Sequence, residues 1–448
     1  MAGAEKIKYL IIGNSAGGIG AAEAIREVDK AGTVAIVSDE PYPVYSRPLI
    51  SQHLSEGRPL EKMLYRPADF YEKNKIKTLF GGKVARIDFS GRTLGLESGR
   101  TIGWQKLLIA TGGSPIVPGM EGKDLKGVFT FTTLDDAKAI DKFLKQRQGR
   151  IKAVVIGGGL IGVSATEALL KRGVEVSIVE MKDWVLNTIL DEEAAALEAE
   201  ALVKAGVDII TGHTVARINS SLLGEVNGAS LDDGRSISCD MVVVAIGVAP
   251  RLDLVADNGV KTNRGIIVDR RMATSIAGVY ACGDVSEAHD FVYGENRVTP
   301  VWPNAYTGGR VAGLNMAGKK AEYEGGTAMN ALKYFGVNIL SAGMVNPPDD
   351  SYEVLIKRGD GIYKKVIIKD GKILGMVFAG DIEKAGIIYN LMKDKVKVGA
   401  FKEALVADDF GLASLPEKIW RARLEIPASE EASIVPPLEP PEEEVVDE

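Results

Sequence analysis

The stretch Lys152 to Glu180, KAVVIGGGLIGVSATEALLKRGVEVSIVE, leaves this chain few ways to fold. Ala153 to Ile156 read as a buried strand, and Gly157, Gly159 and Gly162 follow as a G-x-G-x-x-G turn that opens a helix at Leu160 and Ile161. Val174 to Val179 form the next strand, and Glu180 ends it about 20 residues past the glycines. Glycines at this spacing let the backbone approach a pyrophosphate, and the helix N-terminus offers that anion unpaired N–H groups and a positive dipole. An acidic residue at the end of the second strand meets a ribose 2′-hydroxyl. Strand, turn, helix, second strand and acid together read as a dinucleotide site, where the glycines alone would read only as a tight turn.

The start of the chain repeats the pattern in a degenerate form. Ile7 to Ile12 form a strand, Gly13, Asn14, Ser15, Ala16, Gly17 and Gly18 a glycine turn, Ile19 to Glu27 a helix, and Thr33 to Val37 a second strand that runs into Asp39 and Glu40. Aligning Gly13 with Gly157 also pairs AAEAI at 21–25 with ATEAL at 165–169, so the unit is an internal repeat. Two nucleotides are expected, with Asp39 as the first candidate for the second ribose and Glu40 as the alternative. Ser15 replaces the middle glycine and is small enough to leave room for a pyrophosphate.

Three further passages end strands in glycine turns: Leu107 to Ala110 followed by Thr111 and Gly112, Met241 to Ile246 followed by Gly247 in GVAPR, and GVYACGDV with Gly283 and Asp284. In this order the five motifs resemble the two-dinucleotide FAD/NAD(P)H oxidoreductases of the pyridine-nucleotide disulfide reductase superfamily, over roughly residues 7–400. The resemblance implies an α/β fold with two nested Rossmann-like dinucleotide-binding domains and a C-terminal α+β domain. Carried onto this chain, it divides the FAD domain into 1–117 and 247–326 around an NAD(P)H domain at 118–246, with an interface domain at 327–426 and an acidic tail at 427–448. It implies that Gly13 to Gly18 hold the FAD pyrophosphate, Asp39 the adenosine ribose and Asp284 the ribityl chain. It also places backbone near Val84 at the adenine, and Ala110, Thr111, Gly112, Gly247 and Gly283 around the cofactors.

Cysteine usage narrows the branch. Disulfide reductases carry a Cys pair after the first unit and the NADH oxidase group a single Cys, whereas PYPVYSRPLISQHLSEG at 41–57 has none, which excludes a thiolate nucleophile there. Cys239 and Cys282 read as small core residues. Tyr45, Arg47 and Pro48 instead resemble the Y-x-R-P-x-L-S segment of ferredoxin, rubredoxin and nitrite reductase flavoproteins, which implies that Arg47 contacts FAD. Trp302-Pro303-Asn304-Ala305 resembles a W-x-N-A passage that sets a Trp beside the isoalloxazine. Relatives pair a Lys and a Glu next to the flavin, and the matching positions here are Gln52 and Ser164. His53, His213 and His289 sit in no constellation, no metal site is expected, and no side chain stands out as an acid–base catalyst.

From about Asn330 the strand-like runs Tyr352 to Ile356, Lys364 to Ile368 and Ile373 to Phe378 alternate with turns such as RGDG and KDGK, pointing to an antiparallel sheet followed by a helix at Glu383 to Lys393. The resemblance has this domain cover the flavin of its own or a neighbouring subunit, which makes a homodimer, or a place in a larger complex, an expectation. PEKIWRARLEI at 416–426 reads as a short surface helix or a partner-binding one. Eight of the 61 acidic residues lie after residue 429, in a Pro- and Glu-rich tail expected to be disordered, so the body is nearly neutral and gives no footprint for nucleic acid. With no run long enough to span a bilayer and only two Cys, a soluble, cytoplasmic protein is expected.

The function implied is hydride transfer from NADH to flavin N5, then electron delivery to a separate redox partner such as an iron–sulfur protein. Glu180 favours NADH over NADPH because a carboxylate repels a 2′-phosphate, with Lys182 the only nearby counter-signal. The alternatives are an NADH oxidase or diaphorase with small acceptors, and an NADH-sensing flavoprotein that serves as an assembly or signalling module.

Overall fold

Buried apolar strands form the centres of two largely parallel sheets, as expected when helices cover both faces. A computed structural model of the chain describes residues 5–256 and 258–424. The acidic tail and the end of the 416–426 segment lie outside them. In the first sheet the parallel strands Ile76–Phe80, Val34–Ser38, Glu5–Ile12, Thr101–Ile109 and Val279–Ala281 lie side by side. An antiparallel pair, Val84–Asp88 and Thr93–Leu96, extends the sheet from the first half of Thr101–Ile109. The second sheet is wholly parallel in the order Asp208–Thr211, Glu175–Glu180, Lys152–Ile156, Met241–Val244 and Val128–Phe129. Gly113–Pro115 and Val248–Pro250 pair antiparallel where the chain leaves the first sheet and returns to it.

The internal repeat survives in the hydrogen-bond register. Ile12 faces Val37 in the first sheet and Ile156 faces Val179 in the second, while the Gly13 and Gly157 N–H groups donate to the Val37 and Val179 carbonyls, each at 2.8 Å. Ser38 is therefore the counterpart of Glu180, and Asp39 and Glu40 follow one and two residues later. Gly157 needs its glycine: φ is +105°, and a Cβ there would lie 2.6 Å from the Ala245 carbonyl oxygen.

The third sheet is antiparallel, in the order Met329–Tyr334, Val337–Gly343, Lys372–Ala379, Ile362–Lys369 and Glu353–Gly359, with the helix Ala385–Lys393 against it. The strand expected at 352–356 runs later, over Glu353–Gly359, because the Asp360–Gly361 turn pairs it with Ile362–Lys369. Asp370 and Gly371 both have positive φ, 51° and 73°, the geometry of a two-residue hairpin turn.

Two helices bring the separate pieces of the first unit together. Ala16–Val28 crosses Trp302–Met316 in backbone contact: a Cβ on Gly309 would lie 2.1 Å from the Gly17 carbonyl oxygen, and one on Gly313 2.4 Å from that of Ala21. The bidentate pair of Arg310 with Glu27, at 2.8 and 2.9 Å, closes the same crossing. Trp302, the first residue of its helix, is thereby delivered to the end of the glycine turn.

Candidate functional site

A cleft of about 1270 Å³ runs between the three sheets, larger than the roughly 300–1,000 Å³ of an ordinary small-molecule pocket. Both glycine turns open into it. The helices Ala16–Val28 and Leu160–Lys171 start at its wall, and neither N-cap, Ser15 or Gly159, spends a side chain on its first-turn N–H groups. Those donors and both helix dipoles face the cleft. A Cβ added to Gly159 would meet nothing within 4 Å, so the turn leaves open space where a phosphate group can approach.

Most of the residues singled out from the sequence line this cleft: Gly13, Ser15, Ala16 and Gly17; Asp39, Glu40, Arg47 and Val84; Ala110, Thr111 and Gly112; Gly157, Gly159, Leu160, Ile161 and Glu180; and Gly247, Gly283, Asp284 and Trp302. Gly18 and Gly162 do not. A Cβ on Gly18 would lie 2.0 Å from the Gly13 carbonyl oxygen, and one on Gly162 1.9 Å from that of Gly157. At these third glycines the missing side chain lets the helix pack on the turn.

Glu180 is buried, and its carboxylate accepts the Gly158 N–H at 2.6 Å and the Lys182 N–H at 2.9 Å. The Gly158 carbonyl in turn accepts the Leu186 N–H at 2.7 Å, with Leu186 in the left-handed region at φ 55°. The turn is held from both sides, and the same loop carries Asn187 and Thr188 to the wall. No motif pointed to these two.

In the first unit the two candidate acids take different partners. Asp39, 43% exposed, pairs with Arg251 at 2.7 Å, and Arg251 also donates to the Ser114 hydroxyl at 2.9 Å. Glu40, 15% exposed, accepts the Tyr45 hydroxyl at 2.6 Å and pairs with Arg47, which reaches on to the Thr132 carbonyl at 3.1 Å. Burial holds the Tyr45 hydroxyl well above its ordinary pKa, so it stays a donor. Burial also pushes the Asp284 carboxyl up, against the pull of Arg47. The Thr111 hydroxyl is buried without a hydrogen-bond partner among the described residues, an orphan polar atom in a wall otherwise suited to a large polar ligand.

Trp302 packs edge-on against Tyr65, with ring centroids 5.1 Å apart, and Arg66 lies over Tyr65 at 4.2 Å. Met329, Asn330, Ala331, Leu332 and Tyr334 of the same chain complete the wall, so the C-terminal sheet covers its own cleft. Ser164 lies on the wall, but Gln52 does not; it is bonded to Arg58. Both cysteines are buried free thiols, and burial pushes each up to about 12, which leaves no thiolate at neutral pH. His213 stands between Asp232 and Asp233, at 3.0 and 3.5 Å, in a part-exposed polar cluster.

Residues 7–309 match the family described as pyridine nucleotide-disulphide oxidoreductase, and residues 329–396 match the C-terminal domain of rubredoxin NAD+ reductase. The chain belongs to the pyridine nucleotide-disulphide oxidoreductase family. It is 30% identical to the NADH-dependent phenylglyoxylate dehydrogenase subunit epsilon of Aromatoleum evansii, over 93% of this chain and 99% of that one. It is 31% identical to the nitrite reductase [NAD(P)H] of Bacillus subtilis over 88% of this chain, but spans only 48% of that longer protein. Among solved structures, the ferredoxin reductase of Rhodopseudomonas palustris matches with a TM-score of 0.78 and 26% identity, covering 87% of this chain and 95% of that one. The chain is thus an α/β flavin- and NAD(P)H-dependent oxidoreductase of this family, with two Rossmann-like domains and a C-terminal domain. No helix among the described residues is long and apolar enough to cross a membrane.

Proposed function

We propose that this protein oxidises NADH and passes the electrons, through bound FAD, to a separate iron–sulfur protein. The observation that supports the reading is a cleft entered by two glycine turns and their helix N-termini, large enough for two dinucleotides end to end. FAD supplies the two-electron acceptor that a one-electron partner can discharge. The chain's residues bind, orient and exclude water: Gly159 and the first turn of Leu160–Lys171 take the NADH pyrophosphate, and Glu180 takes its adenosine ribose. The turn Gly13 to Gly17 and Asp284 hold FAD, and Thr111 gives its orphan hydroxyl a partner there. In this reading Glu40, not Asp39, takes the FAD ribose, because Glu40 is the more enclosed and is aligned by Tyr45 and Arg47. The buried thiols argue for carriage of electrons outward, not for chemistry on a cysteine. Full-length likeness to a dehydrogenase subunit and the rubredoxin-reductase type of C-terminal domain support a protein acceptor, within a complex or in passing contact, in the reducing cytosol.

An anaerobic absorbance titration tests this. NADH is expected to bleach the bound flavin promptly, and NADPH to bind at least about tenfold more weakly, a difference of about 1.4 kcal/mol set by Glu180. A flavin that stays oxidised in excess NADH overturns the reading, and fast oxygen consumption without a partner protein would move it to an oxidase.

A further inference from the structure

One buried acid is left over by this chemistry. Glu198, on the helix Glu192–Lys204, is fully buried, and neither carboxyl oxygen meets a hydrogen-bond partner among the described residues. Its helix packs against the C-terminal sheet, and Ala194 and Ala195, four and three residues before it, share an apolar cluster with Ile339 and Val377 of that sheet and with Val163 of Leu160–Lys171.

Two titratable groups face it from those neighbours: Glu167 on Leu160–Lys171, and Tyr334 at the end of the strand Met329–Tyr334. Lys365 of the C-terminal sheet is spent on Asp191 at 2.7 Å, Tyr363 on the same carboxylate at 2.6 Å, and Asp208 of the adjoining strand is exposed. Among the described residues no cation therefore compensates Glu198. Tyr334 also lines the cleft, where its hydroxyl reaches the Leu160 carbonyl at 3.4 Å and meets the Ser164 side chain. Phe335 follows it at the hairpin tip with φ 47° and packs on the apolar clusters of both neighbouring units. The hairpin 329–343 thus touches the helix start that the proposed function assigns to the NADH pyrophosphate.

We infer that Glu198 is a positioning residue acting through Tyr334: uncharged, it lets the C-terminal hairpin seat on the nicotinamide-binding helix, and once ionised beside Glu167 it opens that seam and weakens dinucleotide binding. The inference rests on the NADH reading above for its second half only. Burial, reinforced by the Glu167 carboxylate, pushes Glu198 up to about 8 from an ordinary 4.5. A raised carboxyl leaves stability greatest below about pH 4.5; stability falls as pH rises to about 8, while only the unfolded chain gives up the proton, and is level beyond.

The test uses the full-length flavin-loaded protein with NAD+ as a non-reducing probe. Hydrogen exchange in residues 329–343, corrected for intrinsic rates, and NAD+ affinity are both followed from about pH 6.5 to 9.5, the window that brackets the Glu198 transition. Wild type is expected to lose hairpin protection and about tenfold in affinity as pH rises toward about 8 and to stay level beyond it, a coupling of ordinary size. Glu198→Gln, the uncharged isostere, is expected to hold its neutral-pH values throughout, and Glu167→Gln to move the midpoint to lower pH. A wild type with no transition, or a Glu198→Gln variant that retains it, overturns the inference. If Glu198→Gln does not fold, an unmoved midpoint in Glu167→Gln does so. Absence of NAD+ binding at every pH would instead remove the NADH reading, while hairpin protection still decides the role of Glu198.

Discussion

Replacing Gly159 with valine is expected to leave a folded protein that retains FAD but no longer binds NADH. Gly159 has φ −79° and ψ −172°, a backbone any residue adopts, and a Cβ there meets no neighbour within 4 Å. The variant should therefore lose only the difference between a glycine and a valine N-cap, at most about 1 kcal/mol. The added isopropyl group occupies the space into which the helix N-terminus directs its free N–H groups, so a pyrophosphate no longer reaches them. An increase in the NADH dissociation constant of at least about 100-fold follows, equivalent to about 2.7 kcal/mol. FAD content serves as the internal control, since the Gly13 turn is untouched. Gly157→Val provides the contrast: with φ +105° and a carbonyl oxygen 2.6 Å from the new Cβ, it is expected to fail in folding. Wild-type NADH affinity in Gly159→Val would place the dinucleotide elsewhere.

The second large effect concerns the union of the sheets. Asp191 caps the helix Glu192–Lys204 by accepting the Ala194 N–H at 3.1 Å, and its other oxygen accepts the Tyr363 hydroxyl and the Lys365 ammonium of the C-terminal sheet. The Lys365 and Asp191 side chains are 7% and 11% exposed, so Asp191→Ala strands a buried ammonium. Breaking a buried pair from one side costs about 3–5 kcal/mol, most of it the penalty of the unpaired charge. The urea midpoint of the flavin-loaded protein should fall accordingly. Arg358→Ala, which removes an exposed, solvent-screened partner of Glu193 on the same helix, should lower the midpoint far less. Equal losses in the two variants would show that Asp191 does not anchor the C-terminal sheet.

Much of this was legible along the chain. The strand, turn and helix at 152–180 could be read because their determinants are local: apolar runs, glycines at fixed spacing and an acid at the strand end. The weaker first copy at 7–40 was legible through its alignment with the second, and the antiparallel third sheet through its Asp-Gly turns. Gly18 and Gly162, read as ligand contacts, also answer to packing, since a Cβ on either would strike the carbonyl of its own turn; spacing marks where glycine is needed but not which neighbour requires it. Glu198 gave no signal at all. In sequence it is one more glutamate in an Ala- and Glu-rich helix, and its lack of partners appears only once the helix is packed.

The sequence alone determined the two glycine-turn units and the antiparallel third sheet, since backbone geometry and hydrophobic periodicity act over a few residues, whereas the nesting of the units was implied only by the resemblance of the five ordered motifs. The tertiary structure alone decided that Asp39 turns to Arg251, 212 residues away, leaving Glu40 as the enclosed acid. It also decided that Gly17 and Gly309 meet backbone to backbone, and that Tyr334 reaches the start of Leu160–Lys171. Each of these is a contact between segments far apart in the chain, fixed by the packing of whole sheets and helices and carried by no local pattern.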